Sequence, residues 1–272
     1  MTVKLLAFDT ATEQMSVGLQ VGAQQHLLDA PGGAKASAAL VPAVLTLLAQ
    51  AGIGVADLDA IAFGRGPGAF TGLRTACAVA QGLALGAGKP VLALDSLLAV
   101  AEEARQAVFE RAPELSVWVA VDARMNEIYA AAYAWSRGRW TQRVAPLLIS
   151  VEALNQRWLD APPGVVVGNA PPGLVAGNAP PGVVVRNAPP GVVAGNALAV
   201  FEALLRPGVA VRVPGALPTA RALLALARAA WQGGAALDAA LALPLYLRDK
   251  VAQTTAERDA ARAARLASDV SA

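Results

Sequence analysis

Two short apolar runs, each closed by an aspartate and followed after a short turn by a second strand-like segment, constrain the fold of this chain more than any other feature. Residues 4–8 (KLLAF) lead into Asp9, and residues 16–21 alternate behind them after a short turn. Residues 117–121 (VWVAV) lead into Asp122, and the apolar, aromatic-rich residues 128–135 follow as the hairpin partner. A compact apolar run suits a strand covered on both faces, and an alternating run beside it suits its hairpin partner. A third strand is predicted in each half, over residues 24–29 and 143–149.

The order of elements after each start is also shared. In the first half a helix is predicted over 37–51, capped by Ser37 and ended by Gly52, with Pro42 near its first turn. A strand at 61–63, a helix over 71–86 capped by Thr71, a strand at 90–94 and a helix over 96–110 follow. In the second half the elements are a helix over 151–159, a short strand leading to Gly195-Asn196, a helix over 197–205, a strand at 209–213 and a helix over 219–232. A hairpin start followed by alternating strand and helix implies a mixed sheet with helices on both faces. The predicted fold is therefore α/β, two tandem ribonuclease H-like domains as in actin, the heat-shock ATPases and sugar kinases. Residues 1–106 form the first domain and 107–272 the second.

Composition narrows the function classes. Of the 272 residues 56% are apolar and the mean hydropathy is +0.47, but much of this is alanine, which favours helix and buries little area. The uncharged stretch 36–56 is interrupted by Pro42, Gln50, Gly52 and Gly54, so it reads as a buried or interface helix and not as a membrane span. The sequence opens on a strand without a signal pattern, which predicts a cytoplasmic protein. Cys77 is the one cysteine and reads as core packing; His26 is the one histidine, so neither a metal cluster nor a Ser-His-Asp triad is expected. A net charge of +2 gives no electrostatic footprint for nucleic acid. The C-terminal run Arg248, Lys250, Arg258, Arg262, Arg265 is interleaved with acids and reads as a solvated helix face.

In the ribonuclease H-like superfamily each half places an acid at the end of its first strand, followed by a glycine turn that cradles phosphate. Here Asp9-Thr10-Ala11-Thr12 has alanine where glycine is usual, and the stretch after Asp122, Ala123-Arg124-Met125-Asn126-Glu127, has no glycine. Asp9, Thr10 and Asp122 are thus degenerate phosphate-loop positions; no catalytic residue, metal or cofactor is expected. Gly64-Arg65-Gly66-Pro67-Gly68-Ala69-Phe70-Thr71-Gly72-Leu73-Arg74 lies between a strand and a helix but is neither a P-loop nor a dinucleotide fingerprint. In the helix behind it Gly72, Ala76, Ala80, Ala84 and Gly88 recur every four residues, a smooth stripe suited to close approach by another helix. The stripe faces either the protein's own sheet or a partner. Two adjacent apolar helices call for a second cover, so a partner surface is expected at Leu40, Val44, Leu47, Leu48, Gly72, Leu73, Ala76, Ala80, Leu83 and Ala84.

LLAFDTAT, DLDAIAFGRGPGAFTGLR, KPVLALDSLLAVA, VDARMNEIYAAAY and PLYLRDKVA, in that order, resemble the TsaB (YeaZ) family over residues 3–160 and 192–258. The resemblance implies a non-catalytic scaffold subunit that pairs, through the first two helices, with a TsaD-like catalytic subunit. A TsaE-like ATPase joins that pair, and a TsaC-like enzyme supplies threonylcarbamoyl-adenylate. The complex transfers the threonylcarbamoyl group to N6 of the adenosine beside the anticodon of tRNA. Alone, the chain is expected to form a homodimer. The alternative is an independent ATPase or kinase of the same superfamily, which stoichiometric Mg-ATP binding would favour.

One segment stands apart from the family pattern. A nine-residue unit occurs four times over residues 161–196: APPGVVVGN, APPGLVAGN, APPGVVVRN and APPGVVAGN. The pattern needs one strand here, and the fourth copy is expected to supply it, with Asn196 capping the next helix and the other three forming a surface excursion; the competing arrangement has the first copy in the sheet and the later copies in the excursion.

Overall fold

The computed structural model describes residues 2–160 and 191–248; the first three copies of the nine-residue unit and the charged tail lie outside the described residues. β1 (Lys4–Asp9) pairs antiparallel with β2 (Gln14–Val21), and β2 with β3 (Gln24–Pro31). β4 (Ala60–Gly66) lies parallel to β1 on its other side, and β5 (Val91–Asp95) parallel to β4, giving the order β3-β2-β1-β4-β5. The second sheet is built from β6 (Glu114–Asp122), β7 (Glu127–Ser136), β8 (Arg139–Ser150), β9 (Gly191–Ala194) and β10 (Val211–Val213). Its order is β8-β7-β6-β9-β10, with the same antiparallel hairpin side and the same parallel side. The duplication inferred from element order is therefore present as topology, an α/β fold of two ribonuclease H-like units.

The helices interlock the two sheets. α1 (Ala36–Ala51) and α2 (Phe70–Ala87) cover one face of the first sheet, where Leu40, Val44, Leu47, Ala76 and Ala80 meet Phe8, Val17, Leu19 and Phe63. The opposite face is covered by α6 (Ala220–Gln232), whose Leu223 and Leu224 pack with Leu5, Ala7, Ala62 and Leu92. On the second sheet, α4 (Val151–Asp160) and α5 (Ala197–Val200) cover Trp118 and Ile128. α3 (Ser96–Val108) lays Leu97, Val100 and Ala104 against Val117, Val119 and Tyr133 on its other face. A helix from the first half thus covers the second sheet, and one from the second half covers the first. A division at 106/107 separates the sheets but not the helical layers. Each large aliphatic or aromatic side chain buried here contributes about 1.5–3 kcal/mol, so neither sheet face can be left bare.

Several local expectations are corrected. β4 runs on to Gly66, because pairing with β5 continues through Gly66 and Asp95. α2 accordingly starts at Phe70 with Ala69 as N-cap, and Thr71 sits in its first turn without capping it. Lys35, not Ser37, is the N-cap of α1. α5 stops after four residues; Phe201 leaves helical geometry and folds inward with Leu205. The fourth repeat copy does supply β9, and its Val192, Val193 and Ala194 are completely buried between β6 and β10. By length and composition residues Gly33–Ala51 would suffice to cross a membrane, but Leu40, Val44, Leu47 and Leu48 on their inner side belong to the first core.

Candidate functional site

The aspartates that end β1 and β6 stand at matching places in the two sheets, but only Asp122 lines the cleft between the turns that follow them, with Ala11, Thr12 and Glu13 from the first turn. Asp9 is completely buried. Its Oδ2 accepts from Ser96 Oγ at 2.5 Å and its Oδ1 from the Ala11 amide at 2.6 Å. Burial pushes its carboxyl up to about 6, against the lowering effect of those two hydrogen bonds. Thr10, also buried, donates from Oγ1 to the Gly72 carbonyl at 2.7 Å. The glycine-rich segment packs directly against the turn that follows Asp9. The Ala69 amide donates to the Ala11 carbonyl at 2.8 Å, and a Cβ on Gly68 or Gly72 would fall 2.5 Å from Ala11 O or 1.8 Å from Thr10 O. These glycines let the start of α2 touch the first turn, and the stripe's first member is explained within the chain.

The second turn is held differently. Asp122 receives the Arg124 amide at 2.8 Å and the Arg124 guanidinium at 3.5 Å, while its own amide donates to Asn196 Oδ1 at 2.9 Å. Asn196 therefore occupies the N-cap position of α5 but spends its side chain on Asp122, which corrects the expected cap. Arg124, Met125 and Asn126 all take positive φ, 63°, 57° and 59°. Arg248 braces this left-handed turn: it pairs with Glu127 and donates to the carbonyls of Ala123 (3.2 Å) and Arg124 (3.4 Å). Arg124 also reaches Glu13 of the first half at 2.7 Å. What remains of the cleft is about 210 Å³, below the roughly 300–1,000 Å³ usual for a ligand pocket. Phe70, Tyr246 and Arg74 stack at its mouth, and no three His, Cys, Asp or Glu side chains cluster there or elsewhere among the described residues.

The residues expected to meet a partner are brought together, but they point inward. Leu40, Val44, Leu47, Leu48, Gly72, Leu73, Ala76, Ala80 and Ala84 are all buried, and Leu83 is half-buried against the same core. The stripe faces the protein's own sheet because the strand-to-helix connection packs its start onto Thr10 and so fixes the rotation of α2. The outward face of the helix pair consists of other residues. Val41 and Leu45 are 37% and 53% exposed on α1, and Leu85 is 64% exposed on α2, near Ala78, Gly82 and Gly86. Among the described residues, a Cβ added at Gly82 or Gly86 would meet nothing within 4 Å. Leu241 and Leu243 are also exposed beside α2, on a segment fixed by Gln81 Nε2 and Cys77 Sγ donating to the Ala242 carbonyl. Cys77 is buried, as the sequence suggested, and burial raises its thiol above the ordinary value.

Comparison with known proteins agrees with this arrangement of motif and sheets. The sequence model of the TsaD family, tRNA N6-adenosine threonylcarbamoyltransferase, matches residues 23–256. The tRNA threonylcarbamoyladenosine biosynthesis protein TsaB of Haemophilus influenzae is 37% identical over 161 residues, 56% of this chain and 66% of that protein. TsaB of Escherichia coli is 34% identical over 160 residues, 57% of this chain and 66% of that protein. The chain thus spans just under two thirds of the length of these relatives. The solved structure of YeaZ from Pseudomonas aeruginosa, at 33% identity and a TM-score of 0.69, covers 90% of this chain and 100% of its own.

The chain belongs to the TsaB (YeaZ) family. Within a TsaB fold, the filled Asp9 turn and the narrowed Asp122 turn are specific geometric facts about this member. The outward residues Val41, Leu45, Gly82 and Leu85 were not singled out from sequence. A helix-interior glycine outside the inner stripe was the signal that marked them.

Proposed function

We propose that this chain acts without catalysis of its own in tRNA threonylcarbamoyladenosine biosynthesis, docking a TsaD-like catalytic subunit on the outer faces of α1 and α2. Gly82 carries this reading. Glycine inside a helix costs about 0.8–1.0 kcal/mol relative to alanine, and nothing among the described residues lies close enough to require it there. A partner backbone approaching closely would. The buried residues Leu40, Val44, Leu47, Leu48, Gly72, Leu73, Ala76, Ala80 and Ala84, with Leu83, then hold the pair in place, and Val41, Leu45, Ala78, Gly82 and Leu85 make the contact. Without that partner the same apolar face pairs two copies about a two-fold axis. A TsaE-like ATPase joins the pair, a TsaC-like enzyme supplies the activated intermediate, and tRNA is reached through the assembly in the cytoplasm. The absence of catalysis is supported by the packing of Gly68 and Gly72 against the first turn.

Gly82→Arg tests the surface, because a guanidinium desolvated in the contact blocks association. Pull-down of a TsaD-like partner is expected to fail while circular dichroism stays unchanged. Ala80→Arg, one face away, puts the charge into the core and is expected to unfold the chain. Undiminished capture by a folded Gly82→Arg variant would remove α2 from the interface. Calorimetry with Mg-ATP addresses catalysis separately, and a stoichiometric complex of micromolar affinity would overturn the non-catalytic reading.

A further inference from the structure

On the side of the first sheet opposite α1 and α2, a groove of about 960 Å³ runs between α3, α6 and the β7–β8 hairpin. Its floor is organised by a buried carboxylate. Glu102, 3% exposed, accepts from Arg105 Nε at 2.8 Å and Arg105 NH2 at 2.7 Å, from Gln106 Nε2 at 2.7 Å and from Trp140 Nε1 at 2.8 Å. Arg105 in turn lies 4.3 Å from the ring centroid of Trp135, and the two indoles are tilted at 57° with centroids 5.4 Å apart. With four donors satisfied, Glu102 fixes one guanidinium and two half-buried tryptophans in a single arrangement. The rim carries Arg139 from the start of β8, and Arg221 and Arg228 from one face of α6. All three are exposed, and among the described residues none forms an ion pair. Arg105 cancels Glu102, so three guanidinium groups stand against Glu110 alone, a local charge of +2 in a groove floored by aromatic rings.

We propose that this groove binds a single-stranded stretch of RNA, the rim arginines taking phosphates and the tryptophan floor taking bases. Guanidinium rims with indole surfaces are the chemistry that unpaired RNA requires, because phosphates give the charge term and splayed bases give the stacking term. An acidic protein segment would use the arginines but leave the indoles idle. The choice of RNA over other polyanions rests on the tRNA-modification reading above, but the groove and the α1/α2 surface lie on opposite faces and fail independently.

The test uses the full chain with a fluorescently labelled RNA hairpin bearing a single-stranded loop, and the same stem closed as a blunt duplex. The hairpin is expected to bind better than the duplex and to quench tryptophan fluorescence. Combining Arg139→Glu, Arg221→Glu and Arg228→Glu should weaken hairpin binding about ten-fold or more. It should also flatten the slope of log affinity against log salt by about 2, from roughly 0.7 per lost single-strand phosphate contact. The neutral Arg→Gln triple should fall between, which guards against misfolding of the charge-reversed chain. Capture of a TsaD-like partner should be unaffected by either triple. Equal hairpin affinity in wild-type and variant chains, equal binding of duplex without quenching, displacement of RNA by polyglutamate at matched charge, or loss of partner capture in the triples would each overturn the proposal.

Discussion

The turns after Asp9 and Asp122 occupy the same topological position in two sheets of the same order, yet they are closed by different physics. At Asp9 the connection from β4 to α2 folds directly onto the turn: Gly68 and Gly72 bring its backbone against Ala11 and Thr10, and Ser96 completes a fully buried carboxyl site. At Asp122 the connection from β9 to α5 is shorter and offers one glycine, Gly195, and one side chain, Asn196. That turn remains at the surface, left-handed for three residues and braced by Arg124 and Arg248. The first turn is therefore closed by packing and the second by charge pairing.

Substitution of the contact glycines should break this contrast most severely. Gly72→Ala sets a Cβ 1.8 Å from the Thr10 carbonyl, where neither backbone can move without undoing β1 or α2. Gly195→Arg combines a φ of 117° with a Cβ 2.2 Å from the Ala120 carbonyl. Each is expected to cost more than about 4 kcal/mol, read as loss of a cooperative urea transition. The second change has a natural counterpart, because the third repeat copy carries Arg186 at the position matching Gly195. An arginine in that place at the end of β9 would meet the same clash. Survival of a stable Gly72→Ala chain would mean that the first turn is not closed by packing.

How much of this was legible beforehand follows from the range over which each cause acts. The strands, their order along the chain and the fourth repeat copy as β9 were readable, since a strand-to-helix connection of this kind is short and the fourth copy is the one adjoining the next helix. The loss of glycine at Ala11 was readable too, but the packing against that turn was not, because Gly68 and Gly72 are far in sequence from Thr10 and Ala11. The rotation of α2 was misjudged for the same reason. Apolar spacing defines a stripe but not its direction, and the direction is fixed by a backbone contact to β1. The crossing of α3 and α6 onto each other's sheets and the Glu102 groove arise only from tertiary placement, and no spacing announces them.

Asp9→Asn sharpens the comparison at intermediate size. The folded carboxyl titrates at about 6 against 3.8 when unfolded, so the folded state holds the proton more tightly. Its stabilisation is complete below the unfolded value and is lost as pH rises through about 6, a change of roughly 3 kcal/mol. The substituted amide does not titrate, so the stability of the variant relative to wild type should rise by up to that amount between about pH 4 and pH 7, measured by urea unfolding at each pH. A pH-independent difference would show that Asp9 is not desolvated in solution.

Arg124→Ala should give the smallest effect and probes the second mode of closure. The side chains of Arg124 and Glu13 are 69% and 78% exposed, so their pairing at 2.7 Å contributes no more than about 1 kcal/mol and is screened by salt. Asp122 is only 7% exposed, but it keeps the Arg124 backbone amide whatever the side chain, and its own amide keeps Asn196. The turn should therefore persist, with a loss below about 1 kcal/mol that shrinks further in high salt. A loss of several kcal/mol unaffected by salt would show that the Asp122 turn, like the Asp9 turn, is held by packing, and the difference between the two halves would disappear.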